Sequence, residues 1–272
     1  MKKGLTHAGK FHADDVFATA LLQIIYPEIE IERAFQVPDG YEGIVYDIGL
    51  GAYDHHQQDR EVRENGIPYA AFGLLWREYG PQLVGEQMAK DMDASFIQLL
   101  DESDNTGCKN ELAGIIALFN PGWDEEKDTD TCFWEAVSFA KAILERKIAY
   151  IKGEERASSI LEQAIAQSHD HILQLDQFVP WKKKIVGSDI WFVVYPSKRG
   201  GYNAQAVPKD LEHPELVYPF LEDWWGKEGE VLQEISEIKN ARFCHASGFL
   251  FVADSLDGAL EACNYVIRQQ KK

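Results

Sequence analysis

The chain has 272 residues, 45% of them apolar and 12% aromatic, enough to bury a sizeable core and too many core formers for a disordered chain. Its formal charge of −18 excludes a protein that coats nucleic acid by neutralising phosphates, although a short polyanion can still bind where cations reverse the sign locally. Four scattered cysteines without a CxxC pair exclude a disulfide scaffold and a zinc knuckle, and neither a secretory leader nor about 18 consecutive apolar residues occurs, so a reduced, cytoplasmic protein outside membranes is expected.

Residues 2 to 7 read as a first strand, and DDVFATALLQIIY from Asp14 sets Phe17, Leu21 and Ile24 or Ile25 on one helical face. Ile29 to Ala34 and Gly43 to Asp47 read as further strands, so the opening alternates strand and helix as a mostly parallel α/β sheet does. After YDHHQ the chain turns helical through AAFGLLWREYG, MAKDMDASFIQLLDESDN, FWEAVSFAKAILERKIAYIKG and SSILEQAIAQSHDHIL. Beyond Pro180, strand-like IWFVVYP, a KRGGY turn, RFCHASGFLFVAD and a last helix LDGALEACNYVIR describe a smaller α+β domain. The expected layout is a helix-flanked α/β domain over 1–150, a helical connector over 151–180, and the α+β domain over 181–272.

GLTHAGKF fits the start of a phosphate loop, but Phe11 stands where a Ser or Thr should reach magnesium, and too few residues precede Gly4 to feed it with a strand. The same segment makes better sense as His7-x4-His12-x-Asp14-Asp15, between a strand and a helix at the sheet edge where open α/β folds bind ligands. Capping and the helix dipole account for the two acids but leave both histidines unexplained, whereas metal ligation explains them. Asp47 ends an apolar strand and should emerge at the same edge, its plainer account being a turn acid before Gly49 and Gly51. In YDHHQ, neighbouring histidines diverge on a strand or a helix, so only a loop turns both toward one centre. Four of the eight histidines fall within the first 56 residues, each beside an acid or close to a strand end.

Asp101 and Asp104 lie three apart on one face of a helix that stops at Asn105 or Gly107. Acids in a last turn oppose the helix dipole and call for a positive charge, which a cation would supply; the alternative is two solvated surface acids. Mixed His and Asp donors without thiolate suit manganese, magnesium or zinc, and there are more of them than one ion needs. Two ions sharing a carboxylate is the economical arrangement, and such pairs clamp the attacking and leaving oxygens of an in-line displacement at phosphorus.

In this order the motifs resemble the DHH phosphoesterase superfamily of exonucleases, oligoribonucleases, cyclic-dinucleotide phosphodiesterases and manganese pyrophosphatases. THAGKFHADD, VYDIG, YDHHQ, DESDN, YNAQAVP and FCHASGF are closer still to the family named after a melanocyte proliferating gene (MYG-type), also labelled metal-dependent protein hydrolases, whose eukaryotic members are RNA exonucleases. The resemblance implies that His7, His12, Asp14 and Asp47 bind metal, with Asp47 the bridge, and that His55 serves a second ion. It implies that His56 faces the substrate as general acid or phosphate contact, that Asp54 orients a histidine, and that Asp104 rather than Asp101 is the fourth-motif ligand. His12 departs from the Asp that many superfamily members carry there, which lowers the negative charge of the site and leaves the ion open. Lys198, Arg199 and Gly200 offer cations and backbone donors, and Gln205, His245 and Ser247 lie in segments like the family's second-domain motifs, so these six are the expected substrate contacts. The expected activity is hydrolysis of short RNA or DNA or of nucleotides, RNA favoured and of 3′-to-5′ exonuclease type, with two divalent ions, manganese first. Long duplexes are not expected as substrates. Amide hydrolysis by the same metals is the alternative, although neither HExxH nor GxSxG occurs, and a noncatalytic metal-binding protein is a third reading.

Overall fold

A computed structural model describes residues 1–270. The first strand, β1 (Lys3–His7), buries Gly4, Leu5 and Thr6, the pattern of a central parallel strand covered on both faces. It pairs in parallel with β2 (Glu30–Ala34) on one side and β3 (Ile44–Val45) on the other. Their carboxyl ends therefore share one edge, which is why His7, closing β1, and Asp47, just past β3, emerge together. Helix α1 (Ala13–Ile25) makes the crossover to β2 and buries every residue from Ala13 to Leu22, with Phe17 against Phe72 at a ring separation of 5.4 Å.

Phe72 belongs to α2 (Ala71–Val84), which is followed by α3 (Glu86–Met92), a π turn over Asp93–Ile97, α4 (Gln98–Thr106) and α5 (Glu111–Ala117). Gly107, at a φ of 70°, ends α4 in the left-handed conformation that favours glycine. The two helical stretches read between 133 and 166 are one helix, α6 (Thr129–Ala166). Phe133, Ala136, Val137, Ala140 and Leu144 join the first core, while Ala157 and Leu161 pack in another cluster with Leu173 and Val193.

The described residues form two compact units, Met1–Lys152 and a second from Gly153 onward. The second unit holds β4 (Ile172–Gln174), α7 (Lys182–Ile185), β5 (Phe192–Pro196), β6 (Tyr202–Ala206), a 3-10 turn over Glu222–Trp224, α8 (Gly229–Ser236), β7 (Ala241–Cys244), β8 (Leu250–Ala253) and α9 (Leu256–Gln270). The sheet order is β4-β5-β6-β8-β7, with β4 parallel to β5 and the other pairs antiparallel. The stretch expected as a helical connector over 151–180 thus contains a strand of this sheet. Gly201, in the turn between β5 and β6, has no alternative: at a φ of 69° an added Cβ would lie 2.3 Å from the Ala253 carbonyl oxygen. All four cysteines are free thiols, and among the described residues no helix is long and apolar enough to cross a membrane.

Candidate metal centre

Four short pieces of backbone aim side chains into one space at the carboxyl edge of the first sheet. His7 ends β1. His12 caps α1, and its N–H donates to Asp15 Oδ1 at 2.9 Å, so the first turn of α1 holds Asp14 and Asp15 inward, both out of water. Asp47 follows β3 at a φ of 55°, a left-handed conformation uncommon outside glycine and least costly for Asn and Asp. The Asp47 N–H donates to the Tyr53 carbonyl at 2.9 Å, tying it to the chain that returns into Asp54, His55 and His56. There Asp54 accepts the N–H groups of Leu50 at 2.7 Å and His56 at 3.1 Å, closing a loop in which the His55 and His56 rings lie 4.3 Å apart at 41°. The end of α4 brings Asp104.

Asp47 stands between two imidazoles. Its Oδ2 is 3.2 Å from His7 Nε2 and its Oδ1 is 3.1 Å from His55 Nε2. His7 Nε2 also lies 3.1 Å from Asp15 Oδ2, while His55 Nε2 faces Asp104 Oδ2 at 3.3 Å and Asp14 Oδ2 at 3.5 Å. Donor atoms of His7, Asp15 and Asp47 lie within 4.8 Å of one another, as do those of His12, Asp14 and Asp104, and those of Asp47, His55 and His56.

So many acids in so little water shift one another. Burial, then the Asp47 charge, raises Asp14 to about 7, and burial with the Asp14 charge raises Asp104 to about 8. Burial likewise pushes Asp15 up. Burial alone would lower His7 and His55, but the carboxylates of Asp15 and Asp47 beside the one, and of Asp14 and Asp47 beside the other, push both up to about 11. Asp47 goes the other way: despite its burial, hydrogen bonds from His55 and His7 bring it down to about 2.

Two observations test whether the site fits a cation. Both carboxylate oxygens of Asp14 are buried without a hydrogen-bond donor, a costly state for a charged group unless a positive charge compensates it. The second concerns Asn105. Its Nδ2 donates to the carbonyls of Tyr69 at 3.1 Å and Asp101 at 2.9 Å, so its Oδ1 must be the atom 3.3 Å from His55 Nδ1. An amide oxygen only accepts, hence His55 Nδ1 carries a hydrogen, and Nε2, which faces the carboxylates, is the nitrogen that would give up its proton to ligate a cation. Oxygen and imidazole donors without sulfur suit hard or borderline divalent ions. Nitrogen-hydrogen bonding behind a ligating imidazole is the usual support of a metal site.

Residues 4–267 match the family model of the MYG1 exonucleases, described as an uncharacterised protein family (UPF0160). The chain belongs to the MYG1 exonuclease family. It is 27% identical to the MYG1 protein of Dictyostelium discoideum over 98% of this chain and 97% of that one. It is 26% identical to the human MYG1 exonuclease over 97% and 85%, and 28% identical to the MYG1 protein of Chlamydia trachomatis over 98% and 96%. No solved structure matches it significantly.

Of the positions singled out in this MYG1-family sequence, His7, His12, Asp14, Asp47, His55 and Asp104 converge. His56 lies beside them, its exposed ring held by Nδ1 on Asp54 Oδ1 at 2.6 Å. Asp101 does not converge with them. Its Oδ2 accepts from Arg63 Nη2 at 2.7 Å and its Oδ1 from the Gly73 N–H at 3.2 Å, so the Arg63 guanidinium answers its charge. Nor does the second-unit set form one cluster. Lys198, Arg199 and Gly200 turn at the Tyr202 end of β6, where Gly200 O accepts from Arg242, whereas Gln205, His245 and Ser247 lie at the Leu250 end of β8, several residues along the strands. Gln205 Oε1 accepts from the Tyr195 hydroxyl, and His245 Nδ1 is 3.0 Å from Ser247 Oγ. Sequence reasoning missed Asp15 and Asn105. Asp15 had an ordinary explanation in the helix dipole, and only the pairing of Asn105 with His55 across the fold gives that residue its place.

Proposed function

We propose that the chain is a metal-dependent phosphodiesterase of exonuclease type, with a dinuclear site of DHH kind, acting on short nucleic acids or nucleotides. The observation that carries this reading is Asp47, which turns one carboxylate oxygen toward each imidazole-bearing group, beside an Asp14 whose oxygens have no donor. The human and bovine relatives named MYG1 exonuclease point the same way. His7, Asp15 and Asp47 would hold one divalent ion, and His12, Asp14, Asp104 and His55 the other, with Asp47 common to both. Oxygen-rich ligation favours manganese or magnesium over zinc. When bound, such ions polarise a phosphoryl oxygen and sharpen water as a nucleophile.

The chain's own groups do the rest. Asp54 accepts from His56 Nδ1, which fixes the ring and leaves Nε2 to deliver a proton to the leaving oxygen or to hold a phosphate. Lys198, Arg199, Gly200, Gln205, His245 and Ser247 remain the second unit's substrate contacts in this reading, with RNA preferred, 3′-to-5′ polarity and a reducing, cytoplasmic setting that suits four free thiols.

The test is Asp47→Asn. Wild type should cleave a chromogenic phosphodiester with Mn(II) and leave casein intact, and the variant should lose bound manganese and at least about a hundredfold in activity at unchanged secondary structure. Full activity in the variant would remove Asp47 from the scheme, and cleavage of casein in place of the diester would replace the reaction class.

A further inference from the structure

Beside the acidic cluster, and inside the first unit, lies an open cavity of about 650 Å³. Its size falls in the range of small-molecule sites, roughly 300 to 1,000 Å³, so it takes one or two nucleotides and not a strand laid along a groove. His12, His55, His56 and Asp104 reach it from the cluster, while Leu100, Ala113 and Ala117 give it an apolar side. Its lining includes a single lysine or arginine, Arg60. That guanidinium is exposed, yet it is not adrift: Nη1 donates to Asn105 Oδ1 at 2.9 Å, the same oxygen that receives His55 Nδ1. Arg60 is therefore two hydrogen bonds and one imidazole ring from His55 Nε2, a separation that a neighbouring phosphate on a nucleotide chain can span. The remaining N–H groups of its fork are available to an anion, and the bond to Asn105 has already removed part of the rotamer freedom that binding would otherwise cost.

We infer that Arg60 binds the phosphate next to the scissile one, making this cavity a subsite for nucleotides that carry two phosphates on one nucleoside, with the sugar and base against Leu100, Ala113 and Ala117. The inference rests on the phosphodiesterase reading of the adjoining cluster. It adds a charge argument: in a chain of −18, one cation beside the site accommodates one additional phosphate and no long polyanion. It also places a substrate contact where sequence motifs gave none.

Binding decides it without turnover. By titration calorimetry with Mn(II) present, the wild-type protein should prefer a nucleoside 3′,5′-bisphosphate over the 5′-monophosphate and the 3′-monophosphate by about tenfold, the worth of a charge-assisted contact. The two monophosphates show which position lies at the cluster and which at the guanidinium. In Arg60→Gln, with bound manganese measured alongside, that ratio should fall to near one. Arg60→Lys, which keeps the charge and loses the fork, should fall between. Equal affinity of wild type for bisphosphate and monophosphates would overturn the inference, and so would a variant that keeps the full preference. A wild-type protein that prefers the bisphosphate but cleaves no dinucleotide would leave the subsite standing and sink the exonuclease reading instead.

Discussion

Asp14 carries a conflict that its neighbours do not resolve. Its two oxygens lie out of water among Asp47 and Asp104, with the nearest imidazole nitrogen 3.5 Å away. Removing its charge should relieve the empty site and spoil the loaded one. Asp14→Asn is expected to raise the thermal midpoint of the metal-free protein, while lowering its affinity for manganese at least about tenfold by calorimetry. A variant that lost stability in both states would show Asp14 to be a structural acid. Asn105→Ala should act from behind the ligand: with nothing to receive Nδ1, His55 loses its fixed tautomer, and manganese affinity should drop about ten- to a hundredfold without loss of fold. Asp15 shows why one member of this set escaped the sequence. A place in the helix dipole explained it already, whereas its Oδ1 caps the helix and its Oδ2 turns to His7, and a one-letter code does not say that a carboxylate has been used twice.

Among the elements, α4 is placed by a buried ionic network. Arg63 donates to Asp93 Oδ1 and Oδ2 at 2.6 and 2.8 Å and to Asp101 Oδ2, with its guanidinium 3.9 Å above the Tyr69 ring. Asp93 opens the π turn that leads into α4, so this contact and the Asp101 contact together set the helix whose next turn carries Asp104. Gly73 of α2 leaves the room: a Cβ there would come within 1.8 Å of Asp101 Oδ2 and 2.7 Å of Arg63 Nη2. Gly73→Ala should destabilise the protein by about 1–3 kcal/mol, read by chemical denaturation, and weaken manganese binding as α4 shifts; an unchanged midpoint would mean that the network does not hold α4. The spacing of Asp101 and Asp104 puts both on one helix face, but the choice between them was illegible locally, because Arg63 sits 38 positions from the acid it claims. Period and capping did reveal α1, β2 and the glycine stop of α4. They overextended β3 to Asp47, whereas the strand ends at Val45 and its last bond to β1 is from the Tyr46 N–H to the Leu5 carbonyl. They also split α6 into two stretches, although Gly153, where the first one stops, lies within a continuous helix.

For the whole molecule, pH and divalent ions should act against each other. Asp14 and Asp104 are raised from 3.8 to about 7 and about 8, so the folded state keeps protons there that the unfolded chain has released. Their contribution to stability is complete below pH 4 and is lost as pH rises through about 8. His7 and His55, raised from 6.5 to about 11, contribute fully below pH 6.5 and lose it toward pH 11. The metal-free protein should therefore show a falling contribution from this site between pH 6 and 9, and manganese should restore more of the thermal midpoint at pH 8 than at pH 6. Equal restoration at both would mean that the ion does not replace those protons.

The middle position of β1 in the order β2-β1-β3 also bears on biogenesis. A ribosome releases this strand before either flanking strand, and delivers α4 later still. On the metal-dependent reading proposed above, nascent chains halted before α4 lack Asp104 and should let manganese wash away, and the finished polypeptide should retain it.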